Sequence, residues 1–336
     1  MPALLLPWLE LAACALAIAV AGTMLTRYGD AIARLSGLSR TWVGLVLLAA
    51  ATSLPELFTG MSAVALVDAP NIAVGDALGS CVFNLLLLVL LDELSRDEPM
   101  YRRIDQGHIL TAGFGVIMIG TFGALILLGR EPLDLHVLHV SGYTPILVIV
   151  YVVAMWAALD YARRSTPLQP VLESTPGLTL RRALLRYLAA AAVVAVAGSW
   201  LPFIGREITT AMGWKPTFVG TLLIAGTTSL PEVVVSVSAL RIGAVDMAIG
   251  NLLGSNLFDI LVIAIDDTVY TKGPLLSAVA PAHAITAFAA VIMSGIFIVA
   301  MLFKPETRLR GTVGWVSLSM LVVYLFSSYA VYLHGL

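Results

Sequence analysis

The sequence predicts an all-α polytopic membrane protein, with ten transmembrane helices arranged as two inverted five-helix repeats. Three observations lead to this prediction. Hydrophobic residues make up 59% of the chain and charged residues 12%, against roughly 25% charged in a soluble domain. Apolar runs of about 20 residues, long enough to cross a hydrocarbon core as a helix, recur along the whole length. One pentapeptide, Thr-Ser-Leu-Pro-Glu, occurs in both halves, at 52–56 and 228–232.

Hydropathy and polar breaks place the predicted spans at 6–26, 40–65, 70–92, 107–128, 143–162, 181–201, 216–240, 245–266, 277–303 and 313–333. With both termini on one side of the membrane, fifteen of the 19 Lys and Arg residues fall in loops on the opposite side. Cytoplasmic loops carry such an excess of positive charge, so both termini are predicted to be external.

The sequence has no Lys- or Arg-rich stripe of the kind that binds nucleic acid, so no nucleic-acid partner is predicted. The two cysteines lie inside predicted spans, so no disulfide framework is predicted.

The chain is an internal duplication. At an offset of 176 residues, Ala21–Glu56 aligns with Ala197–Glu232 without a gap. The predicted organisation is a first five-helix repeat at 1–165, a cytoplasmic linker at 166–180 and a second five-helix repeat at 181–336. Because five is an odd number, the two repeats enter the membrane from opposite sides, as in secondary transporters.

The pentapeptide places a carboxylate and a proline at the middle of a span. Pro55 and Pro231 lack the N–H that a helix interior requires, so each is predicted to break its helix. Such a break persists only where it is buried in protein or lines a cavity. The Thr and Ser of each pentapeptide lie four and three residues before Glu56 or Glu232, which puts hydroxyl and carboxylate on one helix face.

The span after each pentapeptide carries a polar stripe. Its members recur at every fourth residue and consist of Asp76, Ser80 and Asn84 in the third span, and Asn251, Ser255 and Asp259 in the eighth. These side chains are oxygen donors, which suit hard cations such as Ca²⁺ and Na⁺. Cys81 neighbours the first stripe but is expected to point away from it. Acids at this depth imply a compensating cation or proton.

These motifs resemble those of the sodium/calcium exchanger family within the cation/Ca²⁺ antiporter superfamily. The resemblance is carried by ATSLPE and VGDALGSCVFN within Ala49–Asn84, and by GTTSLPE and IGNLLGSNLFD within Ala225–Asp259. It extends to the span count and the duplication. The large cytoplasmic regulatory domain of eukaryotic exchangers is absent, because the central linker is too short to hold it.

The resemblance implies an antiporter that exchanges Na⁺ for Ca²⁺ by alternating access, with the first and sixth spans sliding as a gate. It implies that Glu56 and Glu232 bind Ca²⁺ together with the carbonyls of Thr52 and Thr228, and that Asn84 and Asp259 complete the middle site. The implied Na⁺ sites use Ala49, Ser53 and Ser80 on the cytoplasmic side and Ala225, Ser229 and Ser255 on the external side. The expected location is a prokaryotic inner membrane. No cofactor and no protein partner are expected besides the transported ions and the bilayer.

The sequence departs from the family pattern at several positions. Asp76 and Cys81 stand where the family usually has Asn. For Asp76 two interpretations remain. It is either an acid near a helix N-terminus, where the helix dipole favours a negative charge, or a group on the path by which cations enter the site. The first repeat also has 28 residues from its glutamate to its last polar ligand, against 27 in the second. We assign the extra residue to the loop around Val67–Pro70.

Other functions are weighed against this one. Proton/Ca²⁺ exchange is the alternative within the same class, because Asp76 adds a further carboxylate. An intramembrane enzyme is not expected, since no HExxH motif occurs and no serine lies beside a histidine. A passive cation channel is less favoured, because inverted halves with broken helices at mid-depth are typical of carriers.

Overall fold

The computed structural model describes residues 2–36, 48–95, 100–102, 104–128, 136–165, 178–241, 243, 245–304, 308–309 and 313–334. The α-helical segments are α1 Pro2–Ser36, α2 Ala49–Thr52, α3 Leu54–Ser62, α4 Pro70–Leu94, α5 Gly107–Leu128, α6 Tyr143–Ser165, α7 Leu180–Met212, α8 Pro216–Phe218, α9 Ala225–Thr228, α10 Leu230–Arg241, α11 Val245–Val269, α12 Leu275–Ala278, α13 His283–Phe303 and α14 Trp315–His334. A 3₁₀ turn lies at Met100–Arg102, and π turns lie at Ala63–Val67 and Val219–Ile224.

Strands are confined to two short antiparallel hairpins. The first pairs β1 (His136–Val137) with β2 (Val140–Ser141), and the second pairs β3 (Arg308–Leu309) with β4 (Val313–Gly314). The protein is therefore almost entirely helical in its described part, as predicted.

Eight described helices are long and apolar enough to cross a membrane: α1, α4, α5, α6, α7, α11, α13 and α14. A ninth span results if residues 216–228 and α10, which meet at a bend of 44°, count as one. The predicted second span, 40–65, begins outside the described residues, and its described helices are short. Ten spans and the inversion of the two halves therefore stay predictions.

Two helices extend well beyond their predicted bounds. Helix α1 has 35 residues and α7 has 33, about 50 Å at 1.5 Å per residue, whereas the spans were predicted at 6–26 and 181–201. Polar residues ended the predicted span in α7, but the helix continues through Pro202 and ends only at Gly213, which has a left-handed φ of 64°. The predicted ninth span was also placed too early, because a separate turn, α12, precedes α13.

Both pentapeptides break their helices where predicted. Ser53 (φ −87°, ψ 11°) separates α2 from α3, and Ser229 (φ −79°, ψ 7°) separates α9 from α10. Each proline is the second residue of the following helix, where its missing N–H would have had no helical partner. The break thus starts a new helix immediately before each glutamate.

The extra residue of the first repeat lies between Glu56 and the start of α4 at Pro70. In both halves a residue with a left-handed φ, Asp68 or Gly243, stands two positions before the next helix begins. The assignment of the extra residue to the loop around Val67–Pro70 stays a prediction, because residues 242 and 244 lie outside the described residues. The turn Ala63–Val67 after α3 is π-helical, and a π turn absorbs one inserted residue within a helix.

Helices α4 and α11 form the centre of the molecule. The apolar windows of these two helices are 78% and 83% buried, against 28% in α1, α6 and α14. Small residues let the halves approach closely: a Cβ at Gly79 of α4 would overlap the carbonyl oxygen of Thr221 and lie 2.7 Å from Ala225 Cβ. Gly22 of α1 packs on Pro231, and Gly198 of α7 packs on the carbonyl of Pro55.

We expect Gly79→Ala to destabilise the protein by about 1–3 kcal/mol, because the added methyl group has no space against Thr221. Thermal unfolding in detergent measures this effect. Gly113→Ala is the matched control, since a Cβ at Gly113 of α5 has no neighbour within 4 Å, and alanine is favoured over glycine in a helix by about 1 kcal/mol. Equal melting temperatures for the two variants would contradict the close packing at Gly79.

Candidate cation-binding site

Two glutamates mark the middle of the site. Glu56 and Glu232 lie in the first turn of α3 and α10, and each residue is 1% exposed. The first turn of a helix carries unpaired N–H groups and favours a negative charge. The helix breaks therefore place both carboxylates at positive helix ends inside the protein.

Each glutamate receives one hydroxyl group from each half of the chain. Ser80 and Ser229 donate to Glu56 Oε1 at 3.3 and 3.4 Å. Ser255 and Ser53 donate to Glu232 Oε1 at 3.2 and 3.4 Å. The second oxygen of each carboxylate, Oε2, is buried without a hydrogen-bond partner among the described residues. The duplicated motifs thus build two equivalent halves of one site.

The threonines of the pentapeptides contact the stripe of the other half. Thr52 Oγ1 lies 3.3 Å from both Asn251 Oδ1 and Ser255 Oγ. Thr228 Oγ1 donates to Asp76 Oδ1 at 2.9 Å and lies 3.5 Å from Ser80 Oγ. Asp76 is 1% exposed, so it belongs to the wall of the site. Whether cations reach the site past Asp76 stays a prediction.

The main-chain positions predicted for Na⁺ are the first residues of α2 and α9. The carbonyl oxygens of Ala49 and Ala225 each accept the backbone N–H of Ser53 or Ser229 at 3.0 Å. A carbonyl oxygen has two lone pairs. Each of these oxygens also accepts a threonine hydroxyl, from Thr52 at 3.2 Å and from Thr228 at 3.1 Å. A cation binding there would compete with that hydroxyl group.

Helices α4 and α11 cross at Asn84, Cys81, Asn256 and Asp259. Asn84 Nδ2 donates to Asn256 Oδ1 at 3.0 Å, and Asn256 Nδ2 donates to the Cys81 carbonyl at 3.2 Å. Cys81 Sγ lies 3.8 Å from Asp259 Oδ2, so Cys81, which lies beside the stripe of its own helix, contacts the stripe of the other half. The reason is the crossing, which brings α11 against the side of α4 next to its stripe.

The charges of the site are not balanced within the protein. Glu56, Asp76, Glu232 and Asp259 are all buried, and no Lys or Arg is buried among the described residues. An acid at the bilayer centre costs about 2.5–3.5 kcal/mol on insertion scales. Unpartnered acceptor atoms remain on these acids and on Asn84, namely Glu56 Oε2, Asp76 Oδ2, Asn84 Oδ1, Glu232 Oε2 and Asp259 Oδ1. Cations or protons from solution must therefore neutralise the site.

The acids do not form a compact cage. In the part of the chain that the structure describes, no three His, Cys, Asp or Glu side chains lie close enough together to hold one metal ion. A cation here would therefore be bound by few carboxylates, supplemented by hydroxyl, amide and carbonyl oxygens. Hard cations accept such mixed oxygen ligands.

One asparagine of the site, Asn256, was missed as a candidate, and another, Asn251, was placed in the polar stripe but given no ligand role. Asn251 contacts Thr52, and Asn256 joins α11 to α4. Each occupies the position in the second repeat that Asp76 or Cys81 occupies in the first, at an offset of 175 residues. The internal alignment, applied to Asp76 and Cys81, points to both asparagines.

We expect Asn256→Ala to lower stability by about 1–3 kcal/mol, because it leaves the buried Nδ2 of Asn84 without its acceptor and removes the side-chain bond to the Cys81 carbonyl. Thermal unfolding of the purified protein measures the change. Asn256→Asp is the second variant: it keeps an acceptor for Asn84 but loses the donor to Cys81 and adds a charge beside Asp259. A melting temperature unchanged in Asn256→Ala would contradict a role in joining the two helices.

Comparisons with known proteins agree with this geometry. The profile of the sodium/calcium exchanger protein family matches residues 6–166 and 183–333. A relative named as a candidate antiporter, CaxA of Alkalimonas amylolytica, is 27% identical over 314 residues, which cover 90% of this chain and 93% of that protein. The sodium/calcium exchanger MaX1 of Methanosarcina acetivorans is 27% identical over 264 residues, covering 69% of this chain and 74% of MaX1.

A solved structure shares the fold. The sodium-calcium exchanger NCX_Mj, soaked with 2.5 mM Na⁺ and 10 mM Sr²⁺, matches with a TM-score of 0.62 and 21% identity, covering 96% of this chain and 98% of its own. The family profile covers both halves of the duplication and both copies of the pentapeptide. This chain therefore belongs to the sodium/calcium exchanger protein family, and it is an integral membrane antiporter.

Proposed function

We propose that this antiporter exchanges Na⁺ for Ca²⁺ across a prokaryotic inner membrane by alternating access. The observation that carries the proposal is the pairing of each buried glutamate with two serine hydroxyls, one from each half. A proton needs only the carboxylate, whereas Na⁺ needs several neutral oxygen ligands beside it. The hydroxyl groups therefore favour Na⁺ as the coupling ion.

The proposed Ca²⁺ ligands are the carboxylates of Glu56 and Glu232, supported by the carbonyls of Thr52 and Thr228. Both Glu Oε2 atoms are buried without a hydrogen-bond partner in the described part of the chain, so they are available to a cation. Asn84 and Asp259 would add oxygens where α4 and α11 cross. Ca²⁺ takes six to eight oxygen ligands in flexible geometry, which such a mixed set supplies.

The proposed Na⁺ ligands share these groups. One set consists of Ala49, Ser53 and Ser80, and the other of Ala225, Ser229 and Ser255. Because the serines of both sets contact Glu56 or Glu232, Na⁺ bound there would take part of the Ca²⁺ coordination. The two ions would then compete, and a site without ions would carry unbalanced buried charge. That charge opposes reorientation of the empty carrier, which makes exchange obligatory.

The proposed topology has ten spans in two inverted repeats with both termini external. The repeats comprise 1–165 and 181–336, joined by a cytoplasmic linker at 166–180. Helices α1 and α7 pack along each other and contact the site through Gly22 on Pro231 and Gly198 on the carbonyl of Pro55. Small residues at both contacts suit sliding, so we propose that α1 and α7 move against the rest to expose the site alternately.

Transport into proteoliposomes tests the proposal. Vesicles loaded with Na⁺ and diluted into Na⁺-free buffer are expected to take up Ca²⁺. We expect Glu232→Gln to reduce the apparent Ca²⁺ affinity by about tenfold or more, because losing about 1.4 kcal/mol of binding corresponds to tenfold. Glu207→Gln, which changes an exposed glutamate of α7, is the matched control and is expected to behave as wild type. Absence of Na⁺-dependent uptake by folded wild-type protein would reject the proposal.

Proton/Ca²⁺ exchange is a second candidate, and Asp76 is the observation that favours it. Asp76 adds a buried carboxylate whose Oδ2 has no partner among the described residues. With Na⁺ as the coupling ion, we expect a pH gradient alone, without Na⁺, to drive no saturating Ca²⁺ uptake. Saturating uptake under those conditions, lost in Asp76→Asn, would assign the coupling to protons.

A further inference from the structure

A fifth acid near the site has no structural explanation. Asp266 of α11 is fully buried, and neither of its carboxylate oxygens has a hydrogen-bond partner among the described residues. It lies seven residues after Asp259, which places the two acids on the same face of α11, two turns apart. It is absent from the polar stripe and from the proposed ligand set.

The chain makes room for this carboxylate. Gly60 of α3 faces Asp266 so closely that a Cβ at position 60 would overlap the Asp266 carboxylate. Gly60 is one turn after Glu56 on α3, so Asp266 lies one helical turn beyond the site, in the direction of the loop at Asp68. The absence of a side chain at position 60 is what allows α3 and the carboxylate to pack together.

The other half of the duplication has no such acid. Offsets of 176 and 175 residues relate Gly60 to Ser236 and Asp266 to Leu91. Ser236 and Leu91 are both buried. The glycine and aspartate of one half thus correspond to a serine and leucine in the other, so the acid is a feature of one side of the site.

The neighbouring acid, Asp267, shows by contrast what a structural aspartate looks like here. Its carboxylate accepts hydrogen bonds from Ser141 N at 2.7 Å, Ser141 Oγ at 2.8 Å and Leu275 N at 2.8 Å. Its counterpart in the first half, Asp92, likewise accepts from Ser317 Oγ at 2.9 Å. These acids fix the ends of their helices. Asp266 fixes nothing by hydrogen bonds.

The surroundings of Asp266 suit a proton and not a metal ion. The groups that act on it electrostatically are Asp76 from α4, Asp267 on its own helix and Tyr143 from α6, and none of these carries a positive charge. Gly60 and the π turn Ala63–Val67 contribute no charged side chain. Neither oxygen forms a hydrogen bond with a hydroxyl or amide of the described residues, unlike Oε1 of Glu56 and Glu232, so these residues offer no coordination shell for Na⁺ or Ca²⁺.

We propose that Asp266 is a proton-binding site, separate from the cation ligands, which holds a proton in this conformation. A neutral carboxylic acid avoids the cost of an unpaired buried charge and the repulsion from Asp76. Release of this proton would add a negative charge one turn from Glu56. The proton would therefore be released only after this side of the site becomes exposed to water. This proton-binding site is additional to the proposed exchange, and its proposal does not depend on which cation drives transport.

Infrared difference spectroscopy tests the protonation directly. The spectrum of Asp266→Asn is subtracted from that of the wild type, with both proteins in liposomes at neutral pH and saturating Ca²⁺. We expect the difference to show loss of a protonated carboxyl C=O band with no loss of carboxylate bands. The control is Asp68→Asn, an exposed acid whose Oδ2 lies 2.6 Å from Lys272 Nζ, and it is expected to lose carboxylate bands alone.

A measurement of Ca²⁺ binding distinguishes the proposal from a role as a ligand. Asparagine has the shape and the zero charge of the neutral acid, so we expect Ca²⁺ binding by Asp266→Asn to stay within about twofold of wild type. Loss of a carboxylate band in Asp266→Asn, or Ca²⁺ binding weakened about tenfold, would overturn the proposal. If Asp266→Asn does not fold, Asp266→Leu, which introduces the residue of the equivalent position, takes its place. A failure of Na⁺-driven uptake would leave the infrared result unaffected.

Discussion

Buried carboxylates without buried cationic side chains are the constraint on which this structure depends. Four acids surround the middle of the molecule, and the described residues contain no buried Lys or Arg. A protein can bury such charge only by pairing it, protonating it or binding ions. The described residues supply no buried cationic partner, so the charge of the site must be balanced by ions or protons from solution. For a carrier this dependence is useful, because an occupied site can cross a low-dielectric barrier that an empty one cannot.

The second constraint is that neither half completes the site alone. Glu56 takes a hydroxyl from Ser229 and Glu232 takes one from Ser53, so each repeat supplies ligands to the other. The helix breaks at these serines turn both glutamates into first-turn residues of new helices, and glycines allow α4 to pack directly against the second repeat. A movement of one half relative to the other must therefore change the coordination of both glutamates together.

The pattern of the sequence predicted what is local and repeated. The helix breaks followed from two prolines, and the grouping of Ser80, Ser255 and the glutamates followed from stripes on single helix faces. Contacts between helices were harder to predict from the sequence. The proximity of Cys81 to Asp259 depends on how α4 crosses α11, and residue spacing along one helix gives no information about that crossing.

Other features have no signal in hydropathy. Helices α1 and α7 continue past the ends of their apolar runs, and the proline inside each of them does not end it. The π turn at Ala63–Val67 likewise has no hydropathy signal. Asp266 was missed because it falls outside the repeated motif, at a position where the other half has a leucine. Its environment becomes evident only when Gly60 is seen to face it.

The proposed exchange requires that Na⁺ and Ca²⁺ compete for one set of ligands. Equilibrium binding of radioactive Ca²⁺ to the purified protein at increasing Na⁺ concentration measures this competition without requiring transport. We expect complete displacement of Ca²⁺, with a dependence on Na⁺ steeper than one ion for one ion, and no Ca²⁺ binding when Glu56 and Glu232 are both changed to Gln. Ca²⁺ binding that is insensitive to Na⁺ in the wild type would rule out shared ligands.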